Sequence, residues 1–175
     1  LDRVLGEDRA LPIGTACRIG GVLAEALAAA HAADVVHRDV KPANIILTEA
    51  GAGLKLLDFG ISKMRAARSD HPTLTKEGLV VGTPAFMAPE QITEPARVRD
   101  RTDVYAAAMV VYHVLAGRSP FGATSAPFLL AAHVAVDPEP LGDLVPEAPS
   151  ALITLVHAAL AKSPDDRPSA AELAA

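Results

Sequence analysis

The chain is expected to be a mainly α-helical fold with one small β-hairpin. Three observations predict it. Apolar residues recur at helical spacing over 19–30 and again over 152–160. Two short apolar runs, 45–47 and 54–57, flank a segment holding two glycines, the pattern of a hairpin. Half of the 175 residues are hydrophobic but only 3% are aromatic and Trp is absent, so the core is built from Ala, Val, Leu and Ile.

These bulk properties also bound function. A length of 175 residues suits one domain with a real core. The formal net charge of -5, with the two signs interspersed, leaves no basic footprint for nucleic acid. Cys17 stands alone, so no disulfide forms within the chain, which fits a reducing, cytoplasmic setting. Its ordinary reading is a small helix residue. No signal peptide opens the chain. The longest apolar run, 104–117, is too short for a bilayer and contains His113. Any membrane attachment is therefore expected outside this chain.

In order along the chain, residues 1–11 are expected to be helical, and 12–15 punctuate. Ile19, Val22, Leu23, Ala26, Leu27 and Ala30 form one face of a helix. Gly20 and Gly21 weaken it by roughly 1 kcal/mol each relative to Ala. Such a pair is tolerable where another element packs closely. Val35 and Val36 precede a polar loop, then the hairpin follows. Residues 61–89 are polar with little periodicity, and a long loop of that kind is usually functional. A helix is expected over 102–116, ended by Gly117 and Pro120. Others are expected over 126–136 and 150–161. Ser169-Ala-Ala-Glu172 is a capping box that announces a further helix, cut short by the end of the chain.

The chemistry concentrates in two segments. Residues 37–44 read His-Arg-Asp-Val-Lys-Pro-Ala-Asn, and 58–60 read Asp-Phe-Gly. Asp39, Lys41 and Asn44 can crowd one short loop. The hairpin puts Asn44 at its start and Asp58 at its end, so antiparallel pairing brings these two oxygen ligands together. The set suits divalent metal and phosphate chemistry. A turn with local backbone hydrogen bonds is the plainer alternative for Asp39 and Asn44, and a solvated charge for Lys41.

Five ordered blocks resemble the C-terminal lobe of eukaryotic-type serine/threonine protein kinases, most closely the bacterial members. They are HRDVKPAN at 37–44, DFG at 58–60, GTPAFMAPE at 82–90, TDVY at 102–105 and DRP at 166–168. The resemblance implies ATP and Mg²⁺ (or Mn²⁺) as cofactors and protein Ser/Thr hydroxyls as acceptors. It implies that Asp39 orients the acceptor hydroxyl and takes its proton. Lys41 then neutralises charge on the transferred phosphoryl group, Asn44 and Asp58 hold the metal, and Ile46 lies against the nucleotide. Lys41 followed by Pro42, together with Thr83, goes with Ser/Thr rather than Tyr specificity. His37, Phe59 and Gly60 are structural in this pattern. Asp103 accepts hydrogen bonds from the catalytic-loop backbone, although a simple helix cap is an alternative. Glu90 and Arg167 form a buried ion pair. Arg38 and Lys63 receive a phosphate on the activation loop, with Thr75 the first candidate, Thr73 the second and Ser69 the third. Dimerisation for phosphorylation in trans is a further implication.

The chain also departs from the family pattern. No glycine-rich loop or Val-Ala-Ile-Lys stretch precedes residue 37. The whole of 1–175 is thus expected to be a partial catalytic domain, a C-terminal lobe starting just past the hinge and stopping at the start of the last helix, with the N-terminal lobe absent. By itself it is expected to bind ATP poorly and not to catalyse. Phe86 replaces a common Tyr, Ala43 an often acidic residue, and Ala108 a frequent Gly. A catalytically silent binding module is the first rival reading. A small-molecule phosphotransferase is the second, and the GTPAFMAPE block and Arg167 speak against it.

Overall fold

The computed structural model describes residues 1–5, 10–48, 53–57, 84–122 and 125–175. Within them the chain forms helices α1 (Asp2–Leu5) and α2 (Ile13–Ala32), strands β1 (Ile45–Leu47) and β2 (Leu54–Leu56), then six further helices. These are α3 (Pro89–Thr93), α4 (Asp100–Ala116), α5 (Ala126–Ala135), α6 (Leu141–Leu144), α7 (Ser150–Ala159) and α8 (Ala170–Ala174). Single 3-10 turns at Pro42–Asn44, Pro84–Phe86, Pro95–Arg97 and Pro164–Asp166 join them. Each opens on a proline, whose fixed φ suits a first helical position and whose missing N–H costs nothing there.

Helix α4 is the centre of the fold. Every residue from Thr102 to Leu115 except His113 is buried. A helix apolar on all sides must be surrounded, and α2, α7 and α8 pack on it. It stops at Gly117, which takes the left-handed conformation (φ 72°) and donates its N–H to the His113 carbonyl at 2.8 Å. Helix α2 buries Ala16, Ile19, Leu23, Ala24 and Leu27, a stripe at helical spacing, against α4 and α8. Its length and mean hydropathy of 1.3 would also pass as a membrane span. It therefore competes with 104–117 as the most apolar segment, but exposed Arg18 and Glu25 interrupt it.

The hairpin is antiparallel, with Ile45 opposite Leu56 and Leu47 opposite Leu54. Leu57 continues the ladder by donating its N–H to the Asn44 carbonyl at 2.8 Å. Strand β2 rests on α2.

Four boundaries differ from expectation. Ala10 and Leu11 are not helical, against an expected helix over 1–11, because the Leu11 N–H is drawn to the Val114 carbonyl (2.8 Å) and Pro12 follows. Helix α4 starts two residues early, at Asp100. Helix α5 ends at Ala135, one residue short of expectation. Helix α7 ends at Ala159 rather than 161, and the carbonyls of Ala161 and Lys162 are taken by Arg167 instead.

Candidate active site

The site begins with a buried carboxylate. Asp103 lies in the first turn of α4 and is 1% exposed. Its Oδ2 accepts the His37 N–H at 2.8 Å, and its Oδ1 accepts the Arg38 N–H at 2.7 Å. The Nε2 of His31, in the last turn of α2, donates to the same Oδ2 at 2.9 Å. An ionised carboxylate buried among apolar residues needs such partners, and backbone N–H groups are strong ones.

This anchoring forces an unusual backbone. Arg38 has φ 66°, a left-handed conformation that costs a non-glycine residue roughly 1–2 kcal/mol. It persists because both sides of the residue are held. Its N–H is bound by Asp103, and its carbonyl accepts Gln91 Nε2 at 3.0 Å. Gln91 in turn accepts the Ala88 N–H at 3.0 Å, so α3 is tied to the same loop.

The reversal at Arg38 presents Asp39, Lys41 and Asn44 together. Lys41 Nζ lies 2.9 Å from Asp39 Oδ2, and both side chains are about a quarter exposed. Asn44 Nδ2 donates to the Asp39 carbonyl at 2.8 Å and to Asp39 Oδ2 at 3.1 Å. With its amide nitrogen turned to Asp39, Asn44 offers its oxygen, the ligand type a hard divalent cation prefers. A small cavity beside the loop is lined by Arg38, Asp39, Lys41, Phe86, Gln91 and Asp103, among others. The Nε of Arg38 is buried without a hydrogen-bond partner.

His37 ties the loop to the hairpin. It is fully buried, its Nε2 meets the Leu57 carbonyl at 2.8 Å, and its Nδ1 accepts the Asp39 N–H at 3.2 Å. A carbonyl only accepts, so the ring carries hydrogen on Nε2. Ile46 stands on the exposed side of β1, paired with Lys55.

Glu90 and Arg167 meet beneath this layer. The guanidinium makes two parallel bonds to the carboxylate, at 2.7 and 2.8 Å. Arg167 also donates to the carbonyls of Ala161, Lys162 and Arg101, and Thr102 donates its hydroxyl to Glu90 at 2.7 Å. Burial alone would raise the Glu90 pKa. The bonds and charge of Arg167, with the Thr102 hydroxyl, outweigh it and hold the carboxyl below its ordinary value.

The structure thus brings Arg38, Asp39, Lys41, Asn44, His37 and Asp103 into one loop and its anchor, and pairs Glu90 with Arg167. Asp58, Phe59, Gly60, Lys63, Ser69, Thr73, Thr75 and Thr83 lie outside the described residues. Sequence reading missed His31, Gln91 and Thr102. The usable signal was Asp103 itself, since an acid inside an apolar helix requires donors nearby. Among the described residues no group of three or more His, Cys, Asp or Glu side chains could hold a metal ion. Chemically, a carboxylate beside an ammonium and an amide, open to solvent, can take a proton from a hydroxyl and stabilise a neighbouring anion.

The family model described as protein kinase domain matches residues 1–175. The serine/threonine-protein kinase PkaA of Streptomyces coelicolor is 40% identical over 176 residues, covering 99% of this chain and 31% of the relative. The serine/threonine-protein kinase pkn3 of Myxococcus xanthus is 37% identical, covering 98% and 32%. The probable serine/threonine-protein kinase PknB of Corynebacterium glutamicum is 40% identical, covering 100% and 27%. The chain therefore spans about a third or less of the length of these curated relatives. Among solved structures, Rad53 in complex with AMP-PNP superposes with a TM-score of 0.71 at 24% identity, covering 94% of this chain and 40% of that one.

Proposed function

This chain belongs to the protein kinase domain family, and from that premise we propose that it carries the catalytic loop of a protein serine/threonine kinase. We read residues 1–175 as the C-terminal lobe of that domain. The full-length protein transfers the γ-phosphate of ATP to Ser or Thr hydroxyls of other proteins, in a cytoplasmic setting. The observation that carries this reading is the Asp39 carboxylate held by Lys41 and Asn44 on a loop fixed by Asp103.

In this reading Asp39 accepts the acceptor hydroxyl's proton as that oxygen bonds to the γ-phosphorus and the bond to ADP breaks. Lys41 balances charge on the transferred group. Such transfer depends on positioning and charge stabilisation more than on covalent chemistry. Asn44 and Asp58 would hold Mg²⁺, which would neutralise phosphate charge there. The oxygen-type donors fit that hard cation.

Regulation by phosphorylation of Thr75, or Thr73, fits the same reading, with Arg38 and Lys63 as receivers and Thr83 contacting the catalytic pair. The unpartnered, buried Nε of Arg38 supports a site that waits for an anion.

The test is Asp39→Asn in the full-length protein. Incorporation of labelled γ-phosphate into a protein acceptor is expected to fall by about 10²–10⁴-fold, the range for loss of a general base. Undiminished transfer would overturn the assignment. Nucleotide binding without turnover in the unaltered protein would favour a silent binding module.

A further inference from the structure

We propose that His133, on α5, is a positioning residue for the protein acceptor: it holds the Pro84–Phe86 turn in the place that acceptor binding requires. The inference rests on the kinase reading and adds a residue that the five sequence blocks do not contain.

His133 is completely buried although its ring is polar. Three groups fix it. Its Nδ1 lies 2.9 Å from the Tyr105 hydroxyl. Its ring stands edge-on to Phe121, centroids 4.9 Å apart at 74°. Its own carbonyl accepts Lys162 Nζ at 3.0 Å, and that ammonium sits 4.7 Å over the Phe121 ring. Nε2 is left over. It is buried and completes no hydrogen bond of ordinary geometry, although the backbone of Pro84 and Ala85 is near enough to raise the ring's pKa, as carbonyl acceptors do. The turn packs directly on α5. With carbonyl acceptors nearby, Nε2 carries the ring hydrogen, so Nδ1 accepts from the Tyr105 hydroxyl. Burial, with Lys162 nearby, pushes the ring pKa down to about 4, which keeps it neutral near pH 7.

A donor that is buried and almost paired is poised. A shift of the turn toward α5 completes the Nε2–H···O=C bond. In the kinase reading residues 82–90 form the platform for a protein acceptor; an acceptor on that platform supplies the force for the shift, and the bond then favours the acceptor-bound form. The other end of the same segment is already clamped, because Glu90 is gripped by Arg167. The Arg167 guanidinium lies 4.8 Å over the ring of Tyr105. Tyr105 therefore stands between a closed clamp at Glu90 and an open one at Pro84.

The experiment compares the full-length protein with His133→Phe and His133→Gln. Phe keeps the ring volume and removes the N–H; Gln keeps an N–H near the position of Nε2. Expected for His133→Phe is a rise in KM for the protein acceptor of about tenfold, one lost hydrogen bond's worth. The KM for ATP and kcat are expected to stay within about twofold, an effect on acceptor binding alone. His133→Gln is expected to recover most of the loss. Amide hydrogen exchange at Met87, whose N–H bonds the Pro84 carbonyl at 3.1 Å, measured with the protein acceptor bound, is expected to quicken in His133→Phe and return in His133→Gln. An unchanged acceptor KM, a parallel rise in the ATP KM, or a Gln variant no better than Phe would overturn the proposal. If His133→Phe does not fold, Tyr105→Phe removes the hydroxyl that orients the ring, and the same split is expected at smaller size; its absence overturns the proposal. If the unaltered protein phosphorylates nothing, the kinase reading falls. The role of His133 in acceptor binding falls with it, whereas a split confined to the acceptor KM can fail with the kinase reading intact.

Discussion

Asp103 carries two acceptor oxygens into a helix that is otherwise apolar, and satisfying them bends the preceding loop at Arg38. The same logic governs Glu90. Its carboxylate and the Arg167 guanidinium are both nearly inaccessible, and each is the other's main charge partner. Such a pair adds little net stability over a well-packed apolar pair, but removing one member strands the other. Glu90→Gln keeps the shape and deletes the charge. It is expected to cost roughly 3 kcal/mol or more, read as a drop in the urea midpoint at constant m-value. Because the Glu90 pKa is held down in the fold, its contribution is full above the ordinary carboxylate range. It is lost as pH falls below that range through the folded value.

At the scale of elements, α2 shows how one sequence signal divides. Both Gly20 and Gly21 lower helix propensity, but only one has a packing reason. A Cβ at Gly20 would come within 3.1 Å of Val111 on α4, while one at Gly21 meets nothing within 4 Å. Gly21→Ala is expected to stabilise by roughly 0.5–1 kcal/mol. Gly20→Ala should gain less or lose, since its methyl presses on Val111. Thermal unfolding of the two variants checks the order, and equal gains would contradict it. The hairpin is the other instructive element. Three residue pairs and the added Leu57–Asn44 bond make it short. Its persistence depends on α2 beneath β2 and on His37, whose ring bonds the Leu57 carbonyl.

For the whole molecule, the buried polar network predicts acid sensitivity at unusually mild pH. His133 titrates near its ordinary value of 6.5 when unfolded but at about 4 in the fold. Between these values the unfolded chain binds a proton that the folded one refuses. Stability is therefore complete above pH 6.5 and declines as pH falls toward 4, by about 3 kcal/mol at the lower end. Urea unfolding at pH 7 and pH 4.5 measures this. The loss is expected to be clearly smaller in His133→Gln, which has no group to protonate there. An equal loss in both proteins would place the acid sensitivity elsewhere.

The helical periodicity of α2 and α7, the glycine stop after α4, the capping box at Ser169 and the hairpin were all legible in the sequence. Each depends on residues close together along the chain, where spacing and local chemistry suffice. The loop set Asp39, Lys41 and Asn44 was legible for the same reason, with all three inside one short segment. The sequence by itself determined which residue types were available for phosphate chemistry and which family the chain resembles. Tertiary structure alone decided that His31 and Gln91 brace the loop, that Leu11 bonds α4 instead of extending a helix, and that His133 is buried with an unpaired nitrogen. These contacts join residues tens of positions apart. Their partners are fixed only when burial removes water and each polar group must find another.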